Sequence, residues 1–310
     1  DATVIFIMNH RSNMDYVLVT YLASRAAALS YAVGEWARVW PLSRLIKSMG
    51  AYFIRRKARG ALYRRVLARY VQMATAAGVT QAVFPEGGLS LNGRLMPPKM
   101  GLLAYILEGF DPVDGRDVIF VPVAINYDRV LEDRVLIAAD ERGDRKFGGK
   151  VSVVFKFVLR RTWNRICGQP FQFGTAAVTF GEPVSLRSYG ETPDPEALAV
   201  DLMERIESVM PVVVVPLLSR ALLAGDVAAE DAGLIGVVNA QLTDQMSTTM
   251  SVPSDQVGTV ANQALKQLAE RHIVERVDDV WRVLPKNEAV LRFYANSIAH
   301  YYPQGDAPAE

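Results

Sequence analysis

Cysteine is almost absent from this chain of 310 residues: its one thiol, Cys167, rules out an internal disulfide. With no histidine near it, Cys167 reads as a structural residue of a reducing compartment. Histidine is nearly as scarce. His10, His272 and His300 lie far apart, and no Cys/His pairing has the spacing of metal ligands, so no metal centre is expected. There is no G-x-S-x-G, the signature that would mark a hydrolase-type serine nucleophile. Long apolar runs are also missing. The longest, Pro211 to Leu218 extending to Ala224, is short and broken by proline, and nothing reads as a signal peptide, so any membrane contact should be peripheral. The first residue is not methionine and the D-A-P-A-E tail looks unfinished, so both ends read as cut ends.

Acidic residues are scarce in one region. From Gly34 to Tyr70 ten Lys and Arg residues face a single acid, Glu35, although the whole chain carries a net charge of only +1. Such a cluster could be a solvated face, a phosphate site, an anionic-membrane footprint or a nucleic-acid patch. Within it Trp36, Val39, Trp40, Leu42, Leu45 and Ile46 form either core or an interfacial surface with Arg38, Arg44 and Lys47 among them.

What is present is a globular composition, 50% hydrophobic, enough for one large or two ordinary domains. An apolar strand with Ile5 and Phe6 that ends on His10, and strands at Ser30 to Val33, Ala51 to Ile54, Thr80 to Phe84 and Val118 to Ile125, alternate with helices at Tyr16 to Ala28, Arg59 to Ala77 and Met100 to Glu108. That alternation predicts an α/β fold with a mixed, largely parallel sheet flanked by helices. Further strands are expected at Val151 to Leu159 and Ala176 to Phe180, and a helix at Ala197 to Met210. One domain is expected to cover residues 1–210, and a mainly helical C-terminal domain residues 211–310. In the second, Val257 to Arg271 followed by Val274 to Val277 and Trp281 to Leu284 reads as a helix and a small β-hairpin, like a winged helix. Its basic residues are matched by acids, so no nucleic-acid partner is expected. G-D-R-K-F-G-G-K at Gly143 to Lys150 misses the phosphate-binding loop pattern by one place and lacks its Ser or Thr.

The most informative stretch is I-F-I-M-N-H-R-S-N-M-D-Y, Ile5 to Tyr16. Five residues apart on one helix, His10 and Asp15 would point about 140° away from each other. Across a turn from strand to helix they can meet, with Ser12 or Asn13 as N-cap and Asp15 in the first helical turn, where the dipole favours a carboxylate. Asp15 would then fix one imidazole nitrogen of His10 and leave the other as a base. Taken alone, the pair is also what a strand-end histidine bonded to a backbone carbonyl would look like.

Three other stretches accompany it in order: G-A-Y-F-I-R-R at Gly50 to Arg56, F-P-E-G-G at Phe84 to Gly88, and I-F-V-P-V-A-I-N-Y at Ile119 to Tyr127. In order and spacing the four resemble the sequence blocks of the glycerolipid acyltransferase superfamily, most closely its bacterial glycerol-3-phosphate acyltransferase branch. The resemblance implies transfer of a fatty acyl group from acyl-CoA or acyl-acyl-carrier protein to the 1-hydroxyl of glycerol 3-phosphate, within phospholipid synthesis. No cofactor is implied beyond that thioester co-substrate. It places the enzyme peripherally on the cytoplasmic face of the inner cell membrane, against an anionic surface.

On this resemblance His10 is the base and Asp15 its orienter; Arg55 and Arg56 hold the acceptor phosphate. Glu86, Gly87 and Gly88 help to bind the acceptor, with Glu86 on glycerol hydroxyls or on an arginine. Ser90, Arg94 and Lys99 keep the frame of the third block, and Pro122 shapes the acyl-donor site. The sequence departs from the branch at Leu89 and Leu91, where arginines are expected, and at Asn13, where a second histidine is common. Lysophosphatidate or dihydroxyacetone phosphate therefore stand as alternative acceptors. A non-enzymatic membrane- or nucleic-acid-binding module is the alternative of another class.

Overall fold

The computed structural model of this chain describes residues 2–23, 30–34, 44, 51–54, 60–143 and 174–302. Its frame is a seven-stranded sheet. β1 (Ala2–Met8) is flanked by β4 (Gln81–Val83) and β5 (Asp117–Tyr127), and β2 (Ser30–Gly34) joins β4 to the outer β3 (Ala51–Ile54), all parallel. β6 (Ala176–Phe180) and β7 (Val184–Ser185) run antiparallel along the far side of β5. The sheet is thus mixed and largely parallel, as the apolar runs predict. β5 is paired on both sides, which suits its nearly unbroken apolar sequence. Pro122 is tolerated in it because it falls where the antiparallel partner changes, after the pairs of Ile119 and Phe120 with β7 and before that of Val123 with β6.

Helix α1 (Asp15–Ala23) leaves β1, α2 (Ala61–Ala76) leads from β3 to β4, and α3 (Gly101–Glu108) from β4 to β5. Next come α4 (Asp133–Glu141), in a stretch where the sequence suggests no helix, and α5 (Pro195–Ser208). The start of α5 is set by Asp194, whose carboxylate accepts from the Glu196 and Ala197 amides, and by Pro195 in the first turn. The sequence also predicts a helical segment from Gly34 to Met49, interrupted at Pro41; of it the described residues include only Gly34, which ends β2, and Arg44, and the strand expected at Val151 to Leu159 and Cys167 lie outside them.

The C-terminal part is centred on α6 (Val214–Ala224), buried on nearly every side; its Pro216 sits in the first turn, where no intrahelical donor is needed. Around α6 pack α7 (Asp231–Gln241), α9 (Val257–Glu270) and α10 (Glu288–Ala295), with the short α8 (Asp244–Thr249) between α7 and α9 in sequence. The expected hairpin is present as β9 (Val274–Val277) and β10 (Val280–Val283), but β8 (Val227–Ala228) adds a third strand to it. Two residues are too few to show a period, so β8 is silent in the sequence. One contiguous apolar core runs from Ile5, Phe120 and Leu202 of the first part to Leu218, Leu265 and Leu291 of the second.

Candidate active site

β1 and β4 are neighbours, so the loops leaving their C-terminal ends, after Met8 and after Val83, meet at one edge of the sheet. Asn9 keeps the chain in register past the last β1 pair: its side-chain amide donates to the Ile125 carbonyl at 2.9 Å, and its oxygen accepts the Ile125 amide at 2.7 Å. His10 follows at the rim, only 4% exposed.

Its ring is held by two neighbours in sequence. Nδ1 lies 2.9 Å from Asp15 Oδ2, and the Tyr16 hydroxyl lies 3.3 Å from Nε2. The same Asp15 oxygen accepts the Arg11 amide at 2.7 Å and the Ser12 amide at 3.1 Å, while its other oxygen accepts the Tyr127 hydroxyl at 2.6 Å. A carboxylate surrounded by donors in this way is an acceptor, so Nδ1 carries the proton and Nε2 presents its lone pair. This is the geometry expected of the strand-to-helix turn. Burial and the Asp15 charge push the Tyr127 phenol up, so it stays a donor at any ordinary pH.

Two further carboxylates hold the turn, and neither faces solvent. Glu86, 1% exposed, accepts the His10 amide at 2.7 Å through Oε1 and the Met96 amide at 2.9 Å through Oε2. Burial pushes its carboxyl up, opposed by those two amides and by Arg11. Glu86 thus ties the two loops together through their backbones, with the charge of Arg11 acting on it as well. Glu132, just before α4, accepts the Asn13 amide at 2.7 Å and the Asn13 side chain at 2.9 Å on Oε1, and the Ser12 hydroxyl at 3.1 Å on Oε2. Asn13 is therefore engaged with Glu132. Ser12 in turn accepts the Met14 amide at 3.1 Å as α1 begins.

His10 borders a cleft of about 170 Å³ that is also lined by Tyr16, Ile54, Phe84, Gly87 and Lys99, among others. The His10 ring packs 4.4 Å from Phe84 and 5.2 Å, edge-on, from Tyr16, centroid to centroid. Gly87 has φ +65, and a Cβ there would come within 2.9 Å of the Lys99 side chain, so glycine lets Lys99 lie across the turn. Of the residues expected to bind substrate, Gly87 and Lys99 line this cleft with the base. Gly88 adjoins it in the same turn. Arg55 and Arg56 lie outside the described residues; Ile54, which precedes them, lines the cleft.

Other expected residues do different work. Ser90 is buried, donates from its hydroxyl to the Arg94 carbonyl at 2.6 Å, accepts the Gly93 amide at 3.0 Å, and gives its own amide to the His10 carbonyl at 3.1 Å. Arg94 is exposed on that loop. Leu89 and Leu91, where cations are expected, pack against the core. Pro122 is buried in β5, paired with Ile7 of β1, and its carbonyl accepts the Gly181 amide at 2.8 Å. Tyr16, Arg11 and Glu132 had no functional signal in the sequence, and Tyr127 only a place at the end of the fourth block. Among the described residues no group of acidic, His or Cys side chains could hold a metal ion.

The acyltransferase family model matches residues 1–126, and the model of the glycerol-3-phosphate acyltransferase C-terminal region matches residues 168–303. The glycerol-3-phosphate acyltransferase of Pseudoalteromonas atlantica is 27% identical over 332 residues, and that of Shewanella amazonensis 29% over 331, in each case across 96% of this chain. This chain spans 39% of the length of either relative. A solved structure, the 1-acyl-sn-glycerophosphate acyltransferase of Thermotoga maritima, aligns at 21% identity and a TM-score of 0.42 over 66% of this chain and 64% of that one. With an acyltransferase family match over the part built round the His10 turn and a match to the glycerol-3-phosphate acyltransferase C-terminal region following it, the chain is similar over nearly its whole length to bacterial glycerol-3-phosphate acyltransferases.

Proposed function

We propose that this chain catalyses transfer of a fatty acyl group from a thioester, acyl-CoA or acyl-acyl-carrier protein, to the 1-hydroxyl of glycerol 3-phosphate. The observation that carries the reading is the His10 imidazole, fixed by Asp15 at Nδ1, in a residue that lines a cleft together with Lys99. Nε2 takes the proton of the acceptor hydroxyl as its oxygen attacks the thioester carbonyl. The tetrahedral intermediate then collapses, the C–S bond breaks, and the proton on Nε2 passes to the departing thiolate. No enzyme nucleophile and no cofactor enter these steps. Lys99, with Arg55 and Arg56 following Ile54, would hold the acceptor phosphate as charge-assisted donors.

A thin-layer assay with labelled acyl thioester and three acceptors, glycerol 3-phosphate, dihydroxyacetone phosphate and lysophosphatidate, tests the reading directly. Glycerol 3-phosphate should be acylated, and His10→Ala should lose at least about a hundredfold in turnover while remaining folded. Undiminished turnover by folded His10→Ala defeats the mechanism. Labelling of lysophosphatidate alone defeats the acceptor assignment.

The reaction joins a water-soluble phosphate to a lipid chain, so we place it at an anionic membrane surface, peripherally and on the cytoplasmic face. Among the described residues no helix is long and apolar enough to cross a membrane. Supporting the placement is α2, whose Leu62, Val66, Tyr70 and Met73 are exposed on one face, opposite the buried Val71 and Thr75. Arg65 and Arg69 flank that stripe, and no Asp or Glu occurs between Glu35 and Glu86. Each such cation contributes about 1 kcal/mol near an anionic bilayer and is screened by salt. Vesicles with phosphatidylglycerol should bind the protein at low salt and release it at high salt, and Leu62→Ser with Val66→Ser should weaken binding. Equal binding to neutral vesicles speaks against the placement.

A further inference from the structure

The residue after the base does something the reaction scheme leaves unused. Arg11 is 3% exposed, and its backbone amide belongs to the catalytic turn through Asp15. Its side chain leaves in another direction, donating through one terminal nitrogen to the Gly93 carbonyl and through the other to the Ser297 carbonyl at 3.3 Å. Around that fork the C-terminal segment closes on the same loop. Asn296 donates to the Asn92 carbonyl at 2.8 Å, and Ser297 Oγ accepts from Asn126 at 3.2 Å. Gly93 has φ +86 and lies so close under α10 that a Cβ would sit 1.9 Å from the Phe293 carbonyl oxygen. The loop so clamped is the one whose Ser90 amide bonds the His10 carbonyl.

We propose that Arg11 is a positioning residue that makes the C-terminal segment, residues 288–302, part of the catalytic turn, fixing His10 mechanically and balancing the two buried carboxylates that hold it. The mechanical part follows from the fork: one guanidinium spans the turn, the Gly93 loop and the C-terminal helix end. The electrostatic part follows from its neighbours. Asp15 and Glu86 each bond His10, the first at the ring and the second at the amide. Arg11 is the cation acting on both; burial pushes its guanidinium down to about 10 while those two carboxylates push it back up. Among the described residues, the other ionisable groups round His10 and Arg11 include Tyr16 on α1, Lys99 across the cleft, Tyr127 through Asp15, Glu132 behind the turn, and His300, on which the Arg11 charge also acts.

The inference rests on His10 being the base, and two substitutions separate charge from reach. Arg11→Lys keeps the cation and loses the fork. Arg11→Met loses both and leaves a stem that still fills the space. In Arg11→Lys kcat should fall severalfold while the acceptor KM holds, and in Arg11→Met kcat should fall severalfold further at the same KM, because the charge that offsets Asp15 and Glu86 is lost together with the fork. Equal kcat in the two folded variants overturns the electrostatic part. The clamp has a test that needs no turnover: Asn296→Ala, at a half-buried position, should speed amide hydrogen exchange at residues 89–94 and at His10 by about tenfold, with global stability little changed. Unchanged exchange at both places overturns the mechanical part. Loss of activity in His10→Ala is measured alongside, so failure of the base assignment is seen separately from failure of the clamp.

Discussion

Asp15 is committed four ways, to two backbone amides, the imidazole and a phenol, and its substitution is therefore more than loss of a charge. Asp15→Asn would turn an NH2 toward groups that donate, favouring the wrong imidazole tautomer, and should lower kcat by at least about tenfold. Glu86 gives a contrasting case. Its partners are backbone amides of His10 and Met96, so Glu86→Ala should lower kcat and stability while leaving the acceptor KM nearly unchanged; a large rise in acceptor KM alone would return it to the substrate. His300 supplies a pH test. Burial first, then Arg11, pushes it down to about 4 from an unfolded value of 6.5, and Glu207 at 4.0 Å offsets only part. A base with a depressed folded pKa leaves the unfolded chain binding more protons between those values. Stability relative to His300→Gln should thus be full above about pH 6.5 and fall, by at most about 3 kcal/mol, as pH drops toward 4. Urea titrations of both proteins at pH 7 and pH 4.5 check the sign. The His10–Asp15 pair was readable because both members sit in one turn. Arg11, Glu132 and Tyr127 were not, because their partners lie up to 286 residues away and sequence spacing carries no information about such contacts.

At the scale of elements, the parallel strands and α2, α3 and α5 were visible because each buries a periodic or continuous apolar set. α4 was not: D-R-V-L-I-A-A-D-E merges into the charged loop that follows, and only Leu136, Ala139 and Asp133 are buried on it. What fixes α4 is tertiary. Asp133 takes the Arg271 guanidinium and the Tyr294 hydroxyl, the latter at 2.6 Å, and Tyr294 accepts the Val130 amide at 3.1 Å. Local signals decide other ends. Asp194→Ala should cost about 1 kcal/mol by removing the acceptor for two first-turn amides of α5. Gly93→Ala should cost more, upward of about 2 kcal/mol, since it combines a left-handed φ with a carbonyl in the way of the new methyl. Denaturant unfolding ranks the two, and a Gly93→Ala protein as stable as wild type would mean that the loop stands off from α10.

Across the whole molecule the interesting boundary is the one near Met210, where composition shifts and the sequence suggests that one domain ends. The structure crosses that boundary repeatedly with buried polar bonds. Asn126 donates to the Pro211 carbonyl at 3.0 Å, and Asp128 accepts the Val215 amide at 2.9 Å at the start of α6 and the Thr175 amide at 2.9 Å before β6. Tyr301 donates to the Met210 carbonyl at 2.5 Å. A fragment ending at residue 210 would leave the Asp128 carboxylate, already pushed up by burial, without its helix-end partner, and would expose the apolar face that α6 and α10 cover. A stripped core face costs several kcal/mol, comparable to the whole stability of an ordinary domain, and the lost Val215 bond to Asp128 adds to it. The two parts should therefore unfold together. Fluorescence of Trp281 in a variant with Trp36, Trp40 and Trp163 changed to Phe, which reports the second part, and circular dichroism, which reports the whole chain, should give coincident urea transitions with one midpoint. Residues 1–210 expressed alone should lack a cooperative transition. Two separated midpoints, or a fragment that folds and retains turnover, would make the C-terminal part an attachment to the catalytic turn instead of one of its walls.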